Sequence, residues 1–329
     1  MRAIVIDAFG GPEVLREAEL PKPHPGPGQV LVRVACAGVN PADWKVREGW
    51  LASYFDCRFP FVPGFDLAGV VEAVAPDVDG LRVGDRVFGT SRQGQGENGS
   101  YAEYTTAHAA MLSLVPPGIS LAEAAALPTA GTTAYGGLVD AGGLQAGQTV
   151  LIHGGAGGVG TIALQIAKAF GTRVAVTCSA ANADHVRSLG ADLAIDYRAG
   201  DVPRALRDWA PHGVDLALDA VGQDTLLPSA AAVVRPGGTY VEIETLISRA
   251  TEAQVAEAAR HGVRLVSNMI AVSRLGEHLA ALASLLAQGR VRMPTLQRLP
   301  LADAALAHAR IASGRQRGKL VLDVAGDMA

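Results

Sequence analysis

Hydrophobic and polar positions follow two different rhythms along this chain, and the rhythm changes near Leu121. Upstream, short β-rich runs at Ala3–Asp7, Gln29–Ala37, Leu67–Ala75 and Arg86–Gly89 are separated by turn formers, which predicts a barrel-like or sandwich-like β region. Downstream, short apolar runs alternate with alanine-rich helical stretches. Val150–His153, Val174–Cys178, Leu193–Asp196, Leu216–Asp219, Thr239–Ile243 and Arg264–Met269 are predicted as strands, with helices at about Val159–Phe170 and Asn182–Leu189 between the first three. Such alternation is the grammar of a doubly wound parallel sheet, here of six strands. A further helix is expected at about Leu275–Gln288, and Lys319–Val324 alternates like one more strand returning to the N-terminal β region. The fold class is therefore α/β, with a discontinuous β-rich domain (residues 1–122 and 271–329) around an inserted α/β domain (residues 123–270).

Charge and cysteine usage narrow the picture. Among 329 residues, 28 Lys+Arg stand against 32 Asp+Glu, so no basic surplus exists to neutralise a phosphate backbone, and no nucleic-acid partner is expected. Cys36, Cys57 and Cys178 are odd in number and lack a C-x-x-C pair, which argues against a disulfide framework and a clustered zinc site and favours a reducing, cytoplasmic setting. Asp7 interrupts the N-terminus before a signal-peptide apolar core could form. Thr149–Ala167 is uncharged, but His153, Gln165 and a glycine cluster make it a strand, a turn and a helix rather than a membrane span. The eight histidines are dispersed without an H-E-x-x-H pattern, and no G-x-S-x-G element is present.

The glycine cluster carries the first chemistry. Gly155-x-Gly157-x-x-Gly160 follows the strand Thr149–His153 at once and opens a helix, the context that makes this spacing a dinucleotide-binding signature of a Rossmann domain. Gly155 and Gly157 allow a tight turn and close approach of a pyrophosphate, Gly160 allows close helix–strand packing, and Ala156, Gly158 and Val159 complete the loop and first turn. The second strand ends Thr177-Cys178-Ser179, with no acid until Asp184. An acid there would hold a ribose 2′-OH and repel a 2′-phosphate, so its absence favours NADPH (NADP+) over NADH.

Six blocks then resemble, in order, the medium-chain dehydrogenase/reductase superfamily and, within it, the zinc-independent quinone oxidoreductases that include zeta-crystallin. They are Gly38-Val-Asn-Pro-Ala-Asp43, Phe61-Val-Pro-Gly-Phe-Asp-Leu-Ala-Gly69, Val83-Gly-Asp-Arg-Val-Phe-Gly89, Ala125 to Tyr135, Gly154 to Gly160, and Gly318-Lys-Leu-Val-Leu322. The resemblance implies a GroES-like catalytic domain with the Rossmann domain inserted before its C-terminal return. Zinc-dependent members of the superfamily place metal ligands where this chain has Asn40, Phe65 and Thr129. None of these is a strong zinc ligand, and Asp66 alone cannot hold the metal, so no metal is expected. Without a Lewis acid to polarise an alcohol, hydride transfer to an electrophilic quinone or enone is the reaction implied.

The resemblance also implies a site. Asn40, Lys45 and Thr133 are the donors expected near the nicotinamide and the substrate oxygen, although Lys45 also reads as a solvated surface lysine and Thr133 as a helix-capping hydroxyl. Asp43 is expected to orient local backbone. Trp50, Tyr54, Phe55 and Phe65 are candidate cleft residues. Ser179 and Tyr197 match family contacts to the 2′-phosphate, whereas Asn182 stands where many relatives carry Lys. Arg187, Arg315, Arg317 or Lys319 could then supply the charge. Family members commonly dimerise through edge strands, which makes Arg264–Met269 a candidate homodimer contact. The competing readings are a non-catalytic NADPH-binding protein of crystallin-like or regulatory type and, less favoured, a zinc alcohol dehydrogenase.

Overall fold

The computed structural model describes residues 1–54, 57–93, 98–222, 230–243, 250–268, 272–293, 295–314 and 316–325. They fall into two compact units, one of Met1–Ala130, Ser273–Ala287 and Met293–Ala329, the other of Gly131–Val272 and Gln288–Arg292.

The first unit opens with a small antiparallel pair, β1 (Arg2–Val5) and β2 (Arg16–Glu19). Its larger sheet is built on the eleven-residue β3 (Gln29–Val39), whose near-continuous apolar run is buried on both faces. β3 pairs antiparallel with β4 (Asp66–Val74) and with β6 (Tyr104–His108), while β4 continues to β5 (Arg86–Thr90) and that to β7 (Leu112–Leu114). Helix α1 (Pro41–Arg47) starts directly after β3. Asn40 is its N-cap, Pro41 occupies the first turn, where its missing N–H costs nothing, and Asp43 completes a capping box. α2 (Leu121–Ala125) is capped by Ser120, whose hydroxyl accepts the Glu123 N–H while the Glu123 carboxylate accepts the Ser120 N–H, and α3 (Pro128–Tyr135) follows.

The second unit alternates strand and helix: β8 (Thr149–His153), α4 (Gly158–Ala169), β9 (Arg173–Cys178), α5 (Ala183–Ser188), β10 (Leu193–Asp196), α6 (Val202–Trp209), β11 (Val214–Asp219), α7 (Ala230–Val233), β12 (Val234–Glu242), α8 (Glu252–Arg260) and β13 (Arg264–Ser267). All six strands are parallel, in the order β10-β9-β8-β11-β12-β13. This is the expected doubly wound sheet. The chain leaves β8 toward β9 and later returns to the other flank of β8 with β11, so the carboxyl ends of β8 and β11 border the switch point where such sheets bind ligands. Met269, the expected end of the last strand, lies outside the described residues.

The remaining chain forms α9 (Leu275–Ala287), β14 (Leu296–Pro300), α10 (Ala304–Ala312) and β15 (Lys319–Asp323). As the alternation of the tail predicted, β15 returns to the first unit, running antiparallel to β3 with Leu320 opposite Val39, and it carries β14 on its other edge. Leu320, Leu322 and Val324 join Ile4, Val34, Val39 and Tyr101 in a common core. No helix among the described residues is long and apolar enough to cross a membrane.

Candidate active site and dinucleotide loop

Three strand ends assemble the first cluster. Asn40 follows the last residue of β3, Asp66 opens β4 opposite Gly38, and Lys319 opens β15 beside the pair Leu320–Val39. Lys319 Nζ donates to Asn40 Oδ1 in a short bond and to the Val39 carbonyl at 3.3 Å, and it lies 3.9 Å from Asp66 Oδ2. Asn40 Nδ2 donates to Asp66 Oδ2 at 2.9 Å, and the Thr129 backbone N–H and hydroxyl both donate to Asp66 Oδ1, at 3.0 and 2.5 Å. Asn40, Asp66 and Lys319 are buried. Burial pushes the Asp66 carboxyl up, opposed by Lys319 and the donors from Thr129 and Asn40; burial pushes the Lys319 ammonium down, opposed by Asp66 and Asp43. The sequence reading put Lys319 with the dinucleotide, whereas in the structure its ammonium is engaged with Asn40. A register between strands 279 residues apart in the chain produces that contact.

A second buried chain of donors meets this cluster at Asp43. Asp43 Oδ2 accepts the Asn40 backbone N–H at 2.7 Å and Oδ1 accepts that of Phe65 at 3.1 Å, so Asp43 orients local backbone as expected. The Tyr101 hydroxyl also donates to Asp43, at 3.3 Å. Tyr101 Oη lies 3.1 Å from His308 Nε2, and Arg47 Nη1 lies 3.2 Å from His308 Nδ1. Burial, with Arg47 beside it, lowers His308 to about 3 and keeps it neutral, so its Nδ1 accepts from Arg47 and its Nε2–H donates to Tyr101. Burial, assisted by Asp66, pushes Asp43 up to about 7. Arg47, Tyr101 and His308 were missed from the sequence, because no motif links residues so far apart.

Among the other expected site residues, Lys45 is only 4% exposed, with Nζ 5.6 Å from the Trp44 ring centroid, which removes the reading of it as a solvated lysine. Trp50 is exposed and packs edge-on against Trp44 at 5.2 Å; Tyr54 is exposed too. Phe65 is half-buried against the cluster of Ile6, Val46, Leu51 and Phe61. Phe55 and Arg315 lie outside the described residues. Thr133, in the second unit, is nearly buried inside α3 rather than at its cap.

The dinucleotide loop runs from β8 into α4. Gly154 takes φ +78, a backbone conformation that suits glycine, and its N–H donates to Thr177 Oγ1 at 3.1 Å while that of Gly155 donates to the Thr177 carbonyl at 2.9 Å. Ala156 is buried in the turn. Gly157 is the N-cap of α4, and the first helical bond, Thr161 N–H to the Gly157 carbonyl, leaves the amides of Gly158, Val159 and Gly160 ahead of it at the positive end of the helix dipole. His153 shares a short hydrogen bond with Thr177 and is held below its usual titration range by burial, hence neutral. Beside β8, Asp219 accepts the Tyr240 hydroxyl at 2.6 Å and the N–H groups of Val221 and Gly222, fixing the turn after β11.

At the end of β9, Asn182 Nδ2 donates to Ser179 Oγ at 3.2 Å, and Tyr197 follows Asp196, which pairs with Cys178. Tyr197 is exposed, and the Arg198 guanidinium lies 5.3 Å from its ring centroid. Arg198 was not among the residues picked from the sequence; its place directly after Tyr197 was the available signal. Arg187, which was, pairs with Asp184 at 3.0 Å.

Comparison with known proteins matches the geometry. The family model for the alcohol dehydrogenase GroES-like domain covers residues 26–117, and that for zinc-binding dehydrogenases covers residues 189–322. The chain is 31% identical over 333 residues to the chloroplastic quinone-oxidoreductase QR1 of Triphysaria versicolor, covering 98% of each chain. It is 39% identical to a chloroplastic NADPH-dependent alkenal/one oxidoreductase of Arabidopsis thaliana over 250 residues, 74% of this chain and 62% of that protein. The Escherichia coli quinone oxidoreductase complexed with NADPH superposes with a TM-score of 0.87 at 27% identity, over 98% of this chain and 100% of that one. A β-rich GroES-like unit and a six-stranded parallel Rossmann sheet define the class of medium-chain dehydrogenases/reductases. Within that superfamily the chain belongs to the zeta-crystallin-like quinone oxidoreductase family.

Proposed function

We propose that the protein is an NADPH-dependent, zinc-independent reductase that delivers hydride to a quinone or an activated alkene such as an enone. The observation that carries the reading is the loop at Gly154–Gly160, open for a pyrophosphate at Gly157, in a chain whose zinc-ligand positions hold Asn40, Phe65 and Thr129. Two of those three positions are bonded to Asp66, and the donor set offers no thiolate or imidazole, so it does not fit zinc. Among the described residues, no group of three His, Cys, Asp or Glu is placed to hold a metal. The QR1 and alkenal/one oxidoreductase relatives support the two substrate classes.

The residues present fit the dinucleotide. Gly155, Ala156 and Gly157, with the amides of Gly158, Val159 and Gly160, would hold the pyrophosphate. Ser179, Asn182, Tyr197 and Arg198 would hold the 2′-phosphate, with Arg198 supplying the charge that Asn182 lacks. When bound, NADPH supplies the hydride. Asn40, Lys45 and Thr133 act as donors to the substrate oxygen as negative charge develops on it, and Trp50, Tyr54 and Phe65 shape the apolar wall. We assign most of the catalytic role to residues 1–122 and 271–329 and cofactor binding to residues 123–270, the stretch that also carries Thr133. We further place the enzyme as a homodimer paired through β13, in a reducing cytoplasm that suits the thiols of Cys36, Cys57 and Cys178.

The test is oxidation of NADPH against a benzoquinone, a naphthoquinone, an enone and an aldehyde. Turnover of a quinone or the enone is expected, and Asn40→Ala or Thr133→Ala should lower it by about 10²–10³, the usual loss for one oxyanion donor. Turnover of the aldehyde alone, or of none of the four, overturns the reading.

A further inference from the structure

An asparagine amide has two faces of opposite chemistry, and which one meets a ligand depends on what holds the other. Asn40 is held at both ends. Its oxygen accepts from Lys319 Nζ, and its nitrogen donates to Asp66 Oδ2 at 2.9 Å. Asp66, already bonded twice by Thr129, accepts and cannot donate when ionised; Lys319 donates and cannot accept. The two charges thus admit one orientation of the amide only. Turned over, the amide would set its oxygen against a carboxylate and its N–H group against an ammonium. All three side chains are buried, so water cannot relieve that mismatch.

Resting on the reading of Asn40 as a donor to the substrate oxygen, we propose that Lys319 is a positioning residue for hydride transfer. It fixes, with Asp66, the amide orientation that offers the second N–H of Asn40 Nδ2 to the substrate. The ammonium on Oδ1 also draws electron density through the amide and strengthens that N–H as a donor. A cation bonded to Asn40 thereby supports the oxyanion through the amide, with no metal in the path.

The test compares Asn40→Ala, Lys319→Met, Lys319→Gln and the charge-balanced double variant Lys319→Met/Asp66→Asn. In the double variant kcat is expected to fall by about 10²-fold, the scale of one lost donor, while the Kd for NADPH, read by fluorescence titration, stays within about twofold. Adding Asn40→Ala to it should cost nothing further, because residues acting through one group are not additive. Lys319→Gln, which still donates to Oδ1, should lose less than Lys319→Met. Unchanged kcat in the double variant beside an impaired Asn40→Ala overturns this inference alone, as does weakened NADPH binding with kcat retained, which would make Lys319 a phosphate contact. Wild-type turnover in Asn40→Ala overturns the reading of Asn40 and this inference with it. Where the double variant fails to fold, equal losses in Lys319→Gln and Lys319→Met overturn the proposal.

Discussion

Among the described residues, a Cβ at Gly157 would meet only the Gly154 carbonyl oxygen, at 3.4 Å, whereas one at Gly160 would fall 2.2 Å from the same atom. The first glycine therefore leaves room for a ligand and the second for the protein's own packing. Gly157→Val is expected to melt like the wild type and to lose NADPH binding in isothermal titration, and normal binding would place the phosphates elsewhere. Arg198→Ala should weaken NADPH by about ten- to a hundredfold, the range for a hydrogen bond to a charged group, and leave NADH unchanged; equal losses would refute its phosphate role. Two buried groups set opposing pH dependences. His308, held to about 3 against 6.5, stays neutral where the unfolded chain takes up a proton, so its contribution is lost as pH falls through that window, by up to about 1.4 kcal/mol per unit. Asp43, raised to about 7 from 3.8, keeps a proton that the unfolded chain releases, so its contribution is lost as pH rises toward 7. Asp43→Asn removes the offset, and its melting temperature should fall more steeply than the wild type's between pH 6.5 and 4.5. Parallel melting curves would contradict these assignments.

Elements buried on both faces were legible as continuous apolar runs: Val150–His153, Val174–Cys178 and Leu216–Asp219 lie within β8, β9 and β11. Elements made by their neighbours were not. β2 reads Arg-Glu-Ala-Glu and forms because β1 pairs with it, β6 buries two threonines beside a single alanine, β7 has three residues, and β14 ends in Pro300. The helix α1 was not predicted, although Pro41 in its first turn and the Asp43 carboxylate on the Asn40 N–H are local features. β13 closes one edge of the parallel sheet, with Leu265 and Val266 half-buried. Unpaired edges invite a partner. Light scattering should give a dimer at micromolar concentration, and Val266→Lys, a charge on that edge, should shift it toward monomer; a monomeric wild type would refute pairing there.

For the molecule as a whole, the clearest consequence is indifference to chelators. Catalysis assigned to Asn40, Lys45 and Thr133 leaves EDTA or phenanthroline nothing to remove, so dialysed enzyme should keep its full turnover with quinone or enone; chelator-sensitive turnover restored by zinc would contradict the metal-free site. Order along the chain, through local rules of burial and turn chemistry, already dictates the six parallel strands, the glycine loop between β8 and α4, the missing acid after β9 and the residues at the three zinc-ligand positions. Each depends on residues adjacent in the chain or on a recurring spacing. The joining of Lys319 to Asn40 and Asp66, the run from Arg47 through His308 and Tyr101 to Asp43, and the burial of Lys45 arise only on folding. They depend on registers and packing between segments up to 279 residues apart, and a buried polar group finds its partner in space rather than in sequence.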